Sequence, residues 1–168
     1  MNVLIKEEDV IKKVKDIGAL INSDYRGKNP VLIGVLKGAF VFLADLLREL
    51  EIPHELDFLA ISSYSGKTSR GIVKISADLS INIEDRDVIL VEDIVDTGCT
   101  LHYILENLKT RQPRSLAVCA LLNKKENRRT EIPLTYVGFT IPSVFVVGYG
   151  LDYENQYRNL RYIGVYDG

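Results

Sequence analysis

The residues best suited to chemistry follow one short hydrophobic segment. Residues 88–91 are entirely aliphatic, which predicts a strand covered on both faces. The segment runs into Glu92 and Asp93, and because two charges cannot share that burial, we expect the chain to reach the surface there. Carboxylates at such a position suit sugar hydroxyls, or a divalent metal that is also held by phosphate oxygens.

A turn of small polar residues, 96–100, separates this strand from a helix, because apolar residues recur at helical spacing from Leu101 to Leu108. Residues 96–100 are therefore predicted to cap the N-terminus of the helix. Successive amides there, with Gly98 allowing close approach, form a concave anion site, and the helix dipole favours a phosphate. Thr97 and Thr100 add hydroxyl donors.

An ordinary strand-loop-helix junction is the simpler interpretation of this segment. It accounts for an N-cap at Asp96 or Thr100 but not for the whole run Glu92-Asp93-x-x-Asp96-Thr97-Gly98. The run resembles the PRPP-binding signature of type I phosphoribosyltransferases, in which a hydrophobic strand precedes Glu-Asp-x-x-Asp-Thr-Gly-x-Thr; PRPP is 5-phosphoribosyl 1-pyrophosphate. The remaining motifs narrow the resemblance, over nearly the whole chain, to the short bacterial hypoxanthine-guanine phosphoribosyltransferases.

Length and composition limit the possible classes of protein. A chain of 168 residues with 46% hydrophobic content is predicted to be a single domain, 1–168, with its own core. A net charge of -2 and a pI near 5.7 argue against a nucleic-acid partner. Two cysteines make no disulfide framework, and the sequence shows neither a signal peptide nor a long apolar run, so we expect a cytoplasmic protein with no membrane partner.

The order of the predicted elements indicates an α/β fold. An apolar stripe from Val10 to Ile21 predicts an N-terminal helix, and strands and helices alternate after it. Strands are predicted near 31–36, 54–61, 72–77, 88–91, 115–122, 134–137, 144–147 and 162–166, with helices at 39–50 and 101–108. This alternation predicts a mostly parallel twisted sheet flanked by helices. The resemblance adds a small hood built from N- and C-terminal segments.

Three loops leave the carboxyl ends of predicted strands, where ligands bind in open α/β sheets: Lys37-Gly38, the segment 92–100 and the segment after Val147. We expect them to converge on one site. Taken alone, Lys37-Gly38 is typical of a tight turn with a solvated lysine. The resemblance implies instead a pyrophosphate-binding loop at Lys37 and Gly38, in which the Leu36–Lys37 peptide can be cis.

The polar segment 62–71 is long for a hairpin connection, and such loops often act as lids, although a plain surface loop would look the same. The resemblance assigns Ser63 and Tyr64 to a loop that closes over the active site. Closure would exclude water from a ribosyl cation-like centre that water would otherwise hydrolyse.

Two further segments are ordinary when taken alone. Lys124 and Lys125 end a predicted strand, where lysines are usually solvated, and Phe145 lies beside valines, where an aromatic residue usually belongs to a core. The resemblance implies that Lys124 donates to the six-oxo oxygen of a purine. It also implies that Phe145 stacks on the base and that Val146 offers it main-chain groups. Asp152 would hold magnesium, and Arg158 would bind pyrophosphate oxygens.

The resemblance therefore implies a Mg²⁺-dependent purine salvage enzyme that transfers the phosphoribosyl group of PRPP to a 6-oxopurine. The 5′-phosphate would sit on the amides of 96–100, where Cys99 contributes only its amide. Glu92 and Asp93 would bind ribose hydroxyls or the metal, and Asp96 would help remove a proton from the imidazole ring of the base.

Other activities fit parts of the same pattern. A non-catalytic PRPP or nucleotide sensor on this fold would bind nucleic acid, which the pI and the set Lys124, Phe145, Asp152 and Arg158 argue against. A uracil or adenine phosphoribosyltransferase is disfavoured by Lys124 and the Phe145-Val146 pair. The sequence does not rank hypoxanthine, guanine and xanthine, since backbone groups would read the two-position of the base. The family is usually assembled as a homodimer or homotetramer, and we expect either here.

Overall fold

A six-stranded sheet and a three-stranded sheet organise the chain. The computed structural model describes residues 1–64 and 72–167, and for Ser63, Tyr64 and Ile72 it describes only the main chain. In chain order the elements are β1 (Asn2–Ile5), α1 (Glu7–Asp24), β2 (Val31–Leu36), α2 (Phe40–Arg48), β3 (Glu55–Tyr64), β4 (Ile72–Ala77), β5 (Asp87–Val95), α3 (Cys99–Lys109), β6 (Ser115–Asn123), a 3₁₀ turn (Lys125–Asn127), β7 (Tyr136–Thr140), β8 (Val146–Val147) and β9 (Ile163–Val165).

The large sheet has the order β4-β3-β2-β5-β6-β7, and all its neighbours are parallel except the antiparallel pair of β3 and β4. The predicted mostly parallel sheet is therefore confirmed. The small sheet, β1-β9-β8, joins the two ends of the chain and forms the hood. Strand β1 was not predicted, because its four residues are too few, and mostly too exposed, to show a period.

Strand β5 explains why residues 88–91 carry no polar side chain. Ile89 and Val91 pack into the core under α1 and α2, whereas Val88 and Leu90 pack into the core under α3. Because successive side chains of a strand point to opposite faces, a central strand covered on both sides must be apolar throughout. The burial of this segment confirms the prediction from its composition.

The predicted end of this strand was wrong. Strand β5 continues to Val95, and Glu92, with 7% of its surface exposed, is buried. The backbone stays in the sheet because β6 pairs with β5 past the carboxylates, with Glu92 opposite Ala120 and Val95 opposite Asn123. Pairing with a neighbouring strand thus outweighs the tendency of a carboxylate to end the strand.

The start of α3 also differs from the prediction. Gly98, at a left-handed φ of +85°, is the N-cap residue and has no side chain with which to cap the helix. The role of helix cap predicted for Asp96–Thr100 is therefore wrong for the side chains of Asp96 and Thr100. A left-handed N-cap favours glycine, which has no Cβ to oppose that conformation.

Candidate active site

The carboxyl ends of the parallel strands meet around two adjoining cavities. The larger, about 670 Å³, is lined by nine predicted site residues: Lys37, Gly38, Asp93, Asp96, Lys124, Phe145, Val146, Asp152 and Arg158. The smaller, about 360 Å³, is lined by Glu92, Thr97, Gly98 and Thr100 and shares Gly38, Asp93 and Asp96 with the larger one. The three loops expected to converge therefore all border the larger cavity. Ser63 and Tyr64, predicted to close the site, have side chains outside the described residues, as does most of their loop.

Hydrogen bonds join the turn after β5 to the segment that follows β6. The carbonyl oxygen of Thr97 accepts hydrogen bonds from the amides of Arg129, at 2.9 Å, and Thr130, at 3.2 Å. A Cβ on Gly98 would lie 2.8 Å from the carbonyl oxygen of Thr130, so this position has no room for a side chain. The bare backbone and the start of α3 can accept an anion there.

The thiol of Cys99 is exposed at this turn. Hydrogen bonds, first from the Thr97 hydroxyl and then from Thr130, lower the pKa of Cys99. The Cys99 amide donates to the Oγ1 of Thr97 at 3.3 Å. Both the amide and the thiol of Cys99 therefore contact neighbours in the turn, and the role expected for the amide alone stays a prediction.

Glu92, which is buried, and Asp93, which is partly buried, lie side by side near the end of β5. Burial, followed by the neighbouring charge of Asp93, raises the pKa of Glu92 well above its usual range. Burial raises the pKa of Asp93 to about 6, although the amide of Ile94 donates to its Oδ1 at 2.8 Å and opposes the shift. Hydrogen bonds from hydroxyl groups stabilise the charged form of a buried carboxyl, which suits a sugar ligand.

The loop after β2 lies against the same carboxylates. The Leu36–Lys37 peptide is cis, as the resemblance implies, and the Lys37 side chain is exposed. A Cβ on Gly38 would lie 2.5 Å from Asp93 Cγ and overlap the Oδ2 of the same carboxylate. Gly150 has a φ of +99°, and a Cβ added to it would lie 2.4 Å from the carbonyl oxygen of Gly38. Three segments therefore meet here with no space for side chains.

Asp96, just after β5, and Lys124, just after β6, form an ion pair that lines the larger cavity. Lys124 Nζ lies 3.5 Å from Asp96 Oδ2, and Lys124 is buried while Asp96 is half-exposed. The Nδ2 of Asn127 donates to Asp96 Oδ1 at 2.7 Å. A donor and an acceptor thus stand side by side, open to a ligand.

The hood contributes an aromatic face to the cavity. Phe145 is 51% exposed, and its ring meets Tyr153 edge-on at a centroid distance of 5.9 Å. Tyr153 stacks on Tyr166 at 4.4 Å, and the Tyr166 amide donates to the Phe145 carbonyl at 2.9 Å. Val146 is buried and pairs with Val165 in the small sheet. An exposed ring supported from its edge is suited to stacking on a flat ligand.

Asp152 and Arg158 form a second ion pair that lines the larger cavity. Arg158 Nη2 lies 2.7 Å from Asp152 Oδ1, and Arg158 Nη1 donates to the Gly150 carbonyl at 2.6 Å. The Asn155 amide donates to Asp152 Oδ2 at 2.7 Å. Both side chains are only partly buried, so each keeps a face toward the cavity.

Four residues that the sequence did not single out support the site: Asn155 lines the larger cavity, and Gly150, Asn127 and Tyr166 contact residues that line it. Only Gly150 carried a signal, since a Gly-Tyr-Gly run after a strand indicates positive φ angles. Asn127 looked like part of a charged surface segment, and no local pattern links it to Asp96, 31 residues away.

No helix in the portion of the chain that the structure describes has the length and apolar character needed to cross a membrane.

Known proteins share this arrangement. Residues 4–154 match the model of the phosphoribosyl transferase domain family. A hypoxanthine-guanine phosphoribosyltransferase of Streptococcus agalactiae is 51% identical over 97% of this chain and 91% of its own length, and one of Bacillus subtilis is 48% identical over the same shares. The crystal structure of a hypoxanthine-guanine phosphoribosyltransferase from Bacillus anthracis, with HEPES in the active site, superposes with a TM-score of 0.94 at 42% identity and covers 99% of this chain and 98% of its own. With this fold and these matches, the chain belongs to the phosphoribosyl transferase family, in its hypoxanthine-guanine branch.

Proposed function

We propose that this protein transfers the 5-phosphoribosyl group of PRPP to hypoxanthine or guanine in purine salvage, releasing a nucleoside monophosphate and pyrophosphate. The observation that carries the proposal is the pair of Lys124 Nζ and Asp96 Oδ2, 3.5 Å apart in the larger cavity. A 6-oxopurine presents an oxygen acceptor at the six-position beside an N–H of the imidazole ring, and the pair is complementary to that edge. The exposed ring of Phe145 in the same cavity supports stacking of the base.

The smaller cavity supports binding of the sugar phosphate. Its lining joins the turn at Thr97, Gly98 and Thr100 to the carboxyls of Glu92 and Asp93. The 5′-phosphate would accept from the amides and hydroxyls of the turn, and the carboxyls would meet the ribose hydroxyls. The base and the phosphate would then lie on either side of Asp96, which borders both cavities.

In the reaction, the bond from C1′ to the pyrophosphate oxygen breaks and a bond from C1′ to the purine nitrogen forms. The proton displaced from the imidazole ring passes to Asp96 as general base. Lys37 and Arg158 would neutralise the departing pyrophosphate, with charge-assisted hydrogen bonds from the Arg158 guanidinium. Gly38, between Asp93 and Gly150, would let the pyrophosphate approach the backbone.

Magnesium fits this site as a shared ligand of protein and substrate. Within the described ranges no group of three or more His, Cys, Asp or Glu side chains is placed to hold a metal alone. Asp152 supplies hard carboxylate oxygens beside Arg158, with Asp93 in the same cavity, and Mg²⁺ is commonly held by one or two carboxylates with substrate phosphates. When bound, Mg²⁺ would offset the negative charge of the leaving pyrophosphate.

Two further features belong to the proposal. The thiols of Cys99 and Cys119 are both free, which supports a reducing compartment such as the cytoplasm. Leu56 and Phe58 are exposed on one face of β3, which supports assembly into a homodimer or homotetramer. Sedimentation equilibrium of the wild type beside Phe58→Ser would test the assembly.

The decisive experiment is a steady-state panel of hypoxanthine, guanine, xanthine, adenine and uracil, each with PRPP and Mg²⁺. We expect nucleotide formation with hypoxanthine or guanine and none with adenine, which carries an amino group where Lys124 needs an acceptor. Comparable turnover of adenine would remove the role of Lys124, and transfer to uracil alone would overturn the proposal.

A further inference from the structure

The side chain of Asn127 is hydrogen-bonded to Asp96, the proposed general base. It ends the 3₁₀ turn Lys125–Asn127, and its Nδ2 donates to Asp96 Oδ1 at 2.7 Å. We propose that Asn127 is a positioning residue, which fixes the Asp96 carboxylate so that Oδ2 faces the imidazole proton of the purine. This inference rests on the proposed function, because it assigns a role within that reaction.

Asp96 needs such a restraint. Its side chain is 48% exposed and caps no helix, so the local backbone does not fix its rotation. A carboxylate free to rotate beside Lys124 would turn both oxygens toward the ammonium group, and both groups would then be withdrawn from the purine. The amide of Asn127 occupies Oδ1 and leaves Oδ2, 3.5 Å from Lys124 Nζ, for the ligand. Because the Asn127 amide is neutral, it does not offset the negative charge that Asp96 needs to accept a proton.

The backbone around both residues is fixed in a way that supports this role. On one side of Asp96, the carbonyl of Val95 accepts from the Lys124 amide at 2.9 Å. On the other side, the carbonyl of Thr97 accepts from the Arg129 amide, also at 2.9 Å. The segment after β6 is thus tied to the turn after β5 on both sides of Asp96, with Asn127 between the two ties.

The 3₁₀ turn itself fixes the origin of the Asn127 side chain. The Asn127 amide donates to the Lys124 carbonyl at 3.1 Å, and the Arg128 side chain donates to Asn123 at the end of β6. The residue proposed to read the base and the residue proposed to orient Asp96 therefore share one turn. A purine held by Lys124 would meet a carboxylate whose orientation is set by the same turn.

The test compares Asn127→Ala, Asp96→Asn and the double variant in the full chain with hypoxanthine, PRPP and Mg²⁺. We expect Asn127→Ala to lower kcat by about 10- to 100-fold, because misplacing a catalytic group by about 1 Å can cost that much. The KM for PRPP should stay within about twofold. Since Asn127 acts through Asp96, the double variant should be no slower than Asp96→Asn alone.

Two companion variants separate orientation from general damage to the turn. Asn127→Gln retains an amide donor and should recover part of the lost kcat. Glu126→Ala changes an exposed neighbour in the same turn and should match the wild type. The deficit of Asn127→Ala should also shrink with 8-azahypoxanthine, whose triazole-ring proton is more acidic than the imidazole-ring proton of hypoxanthine and needs less help from a base.

Failure of this inference differs from failure of the proposed function. If the wild type forms no nucleotide from any 6-oxopurine, the proposed function fails. If the wild type is active and Asn127→Ala retains its kcat, or if the losses from Asn127→Ala and Asp96→Asn multiply in the double variant, the positioning role is overturned.

Discussion

Gly38 lies directly against the carboxylate of Asp93. A Cβ added to Gly38 would come within 2.5 Å of Asp93 Cγ, and Gly150 packs against the carbonyl oxygen of the same glycine. The loop after β2 and the end of β5 therefore fit together only while residue 38 has no side chain. Because Asp93 borders both cavities, this contact also sets the position of a proposed ligand of the sugar and the metal.

We expect Gly38→Ala to displace Asp93 or open the loop at Lys37. Overpacking of this kind typically costs about 1–3 kcal/mol of unfolding free energy. The displaced carboxylate and loop should also raise the KM for PRPP and lower kcat. Denaturant unfolding and steady-state kinetics at a temperature where the variant is folded would measure both effects.

Gly27→Ala is the matched control. Gly27 has a φ of +75°, nothing within 4 Å of an added Cβ and no place in the lining of either cavity, so the substitution costs only backbone strain of about 1–2 kcal/mol. Its kinetics should remain those of the wild type. A Gly38→Ala variant that keeps the wild-type KM for PRPP would show that the contact with Asp93 is dispensable for binding.

Much of this site was predictable, because its local segments carry local signals. The aliphatic run 88–91 predicts a central strand, and the small residues after it predict a turn and a helix start, all of which the structure contains. The predicted end of β5 was wrong because the strand is extended by pairing with β6, a segment more than twenty residues away in the sequence. Glu92, for example, lies opposite Ala120. The link from Asn127 to Asp96 is likewise non-local and leaves no pattern in the sequence.

Lys124→Met tests how the base is read. Methionine keeps an unbranched apolar stem in this buried position but removes the donor to the six-oxo oxygen. We expect kcat/KM for hypoxanthine to fall by a factor that corresponds to about 1–3 kcal/mol, with little change in the KM for PRPP. Lys125→Met, at the exposed neighbouring lysine, is the control. Equal losses in the two variants would argue that only the general positive charge of this segment matters.

Removal of divalent metal tests the proposed magnesium site. With Asp152 and PRPP oxygens as hard ligands, EDTA should abolish turnover and Mg²⁺ or Mn²⁺ should restore it. Asp152→Asn should raise the Mg²⁺ concentration needed for half-maximal rate, since a neutral amide is a weaker ligand. Full activity in chelator would contradict the proposal, and an unchanged Mg²⁺ requirement in Asp152→Asn would remove this residue from the metal site.

The raised pKa of Asp93 predicts a pH-dependent cost to stability. In the folded protein burial raises this pKa to about 6, whereas an unfolded aspartate titrates near about 4. The folded state therefore keeps a proton that the unfolded state has lost, so folding is penalised increasingly between about pH 4 and pH 6 and fully above it. Asp93→Asn lacks this penalty. In metal-free buffer, the melting temperature of Asp93→Asn relative to the wild type should be higher at pH 7.5 than at pH 4.

Asp87→Asn provides a control of opposite sign. Hydrogen bonds from Arg114, at 2.7 Å, and from Ser115 lower the pKa of the buried Asp87 carboxyl. Its ionised form stabilises the folded state above the unfolded pKa, and that contribution is lost as pH falls through the lower folded pKa. Asp87→Asn should therefore lose more stability at pH 7.5 than near pH 3. Parallel trends in the two variants would contradict the assigned shifts.

Asp96→Asn tests the proposed general base with little structural change. The Oδ1 of an asparagine can still accept from Asn127, and Gly98 rather than Asp96 is the N-cap of α3. Because the Nδ2 of that asparagine would replace Oδ2 beside the buried Lys124 ammonium, we expect the unfolding free energy to fall by about 1–3 kcal/mol. Loss of a helix cap would cost about 0.5–2 kcal/mol but leave kcat near that of the wild type.

For the same variant, a general base at Asp96 predicts a large fall in kcat, whereas a helix cap predicts almost none. Loss of a general base typically slows a reaction by about 10²–10⁴-fold, so kcat should fall by that order while the KM for PRPP changes much less. The deficit should be smaller for 8-azahypoxanthine than for hypoxanthine, because the proton on its triazole ring is more acidic than the imidazole-ring proton and leaves with less assistance. Steady-state turnover measured beside a thermal melt separates the two roles. Normal turnover by a stably folded Asp96→Asn variant would remove Asp96 from the chemistry and leave Lys124, 3.5 Å away, to read the base without it.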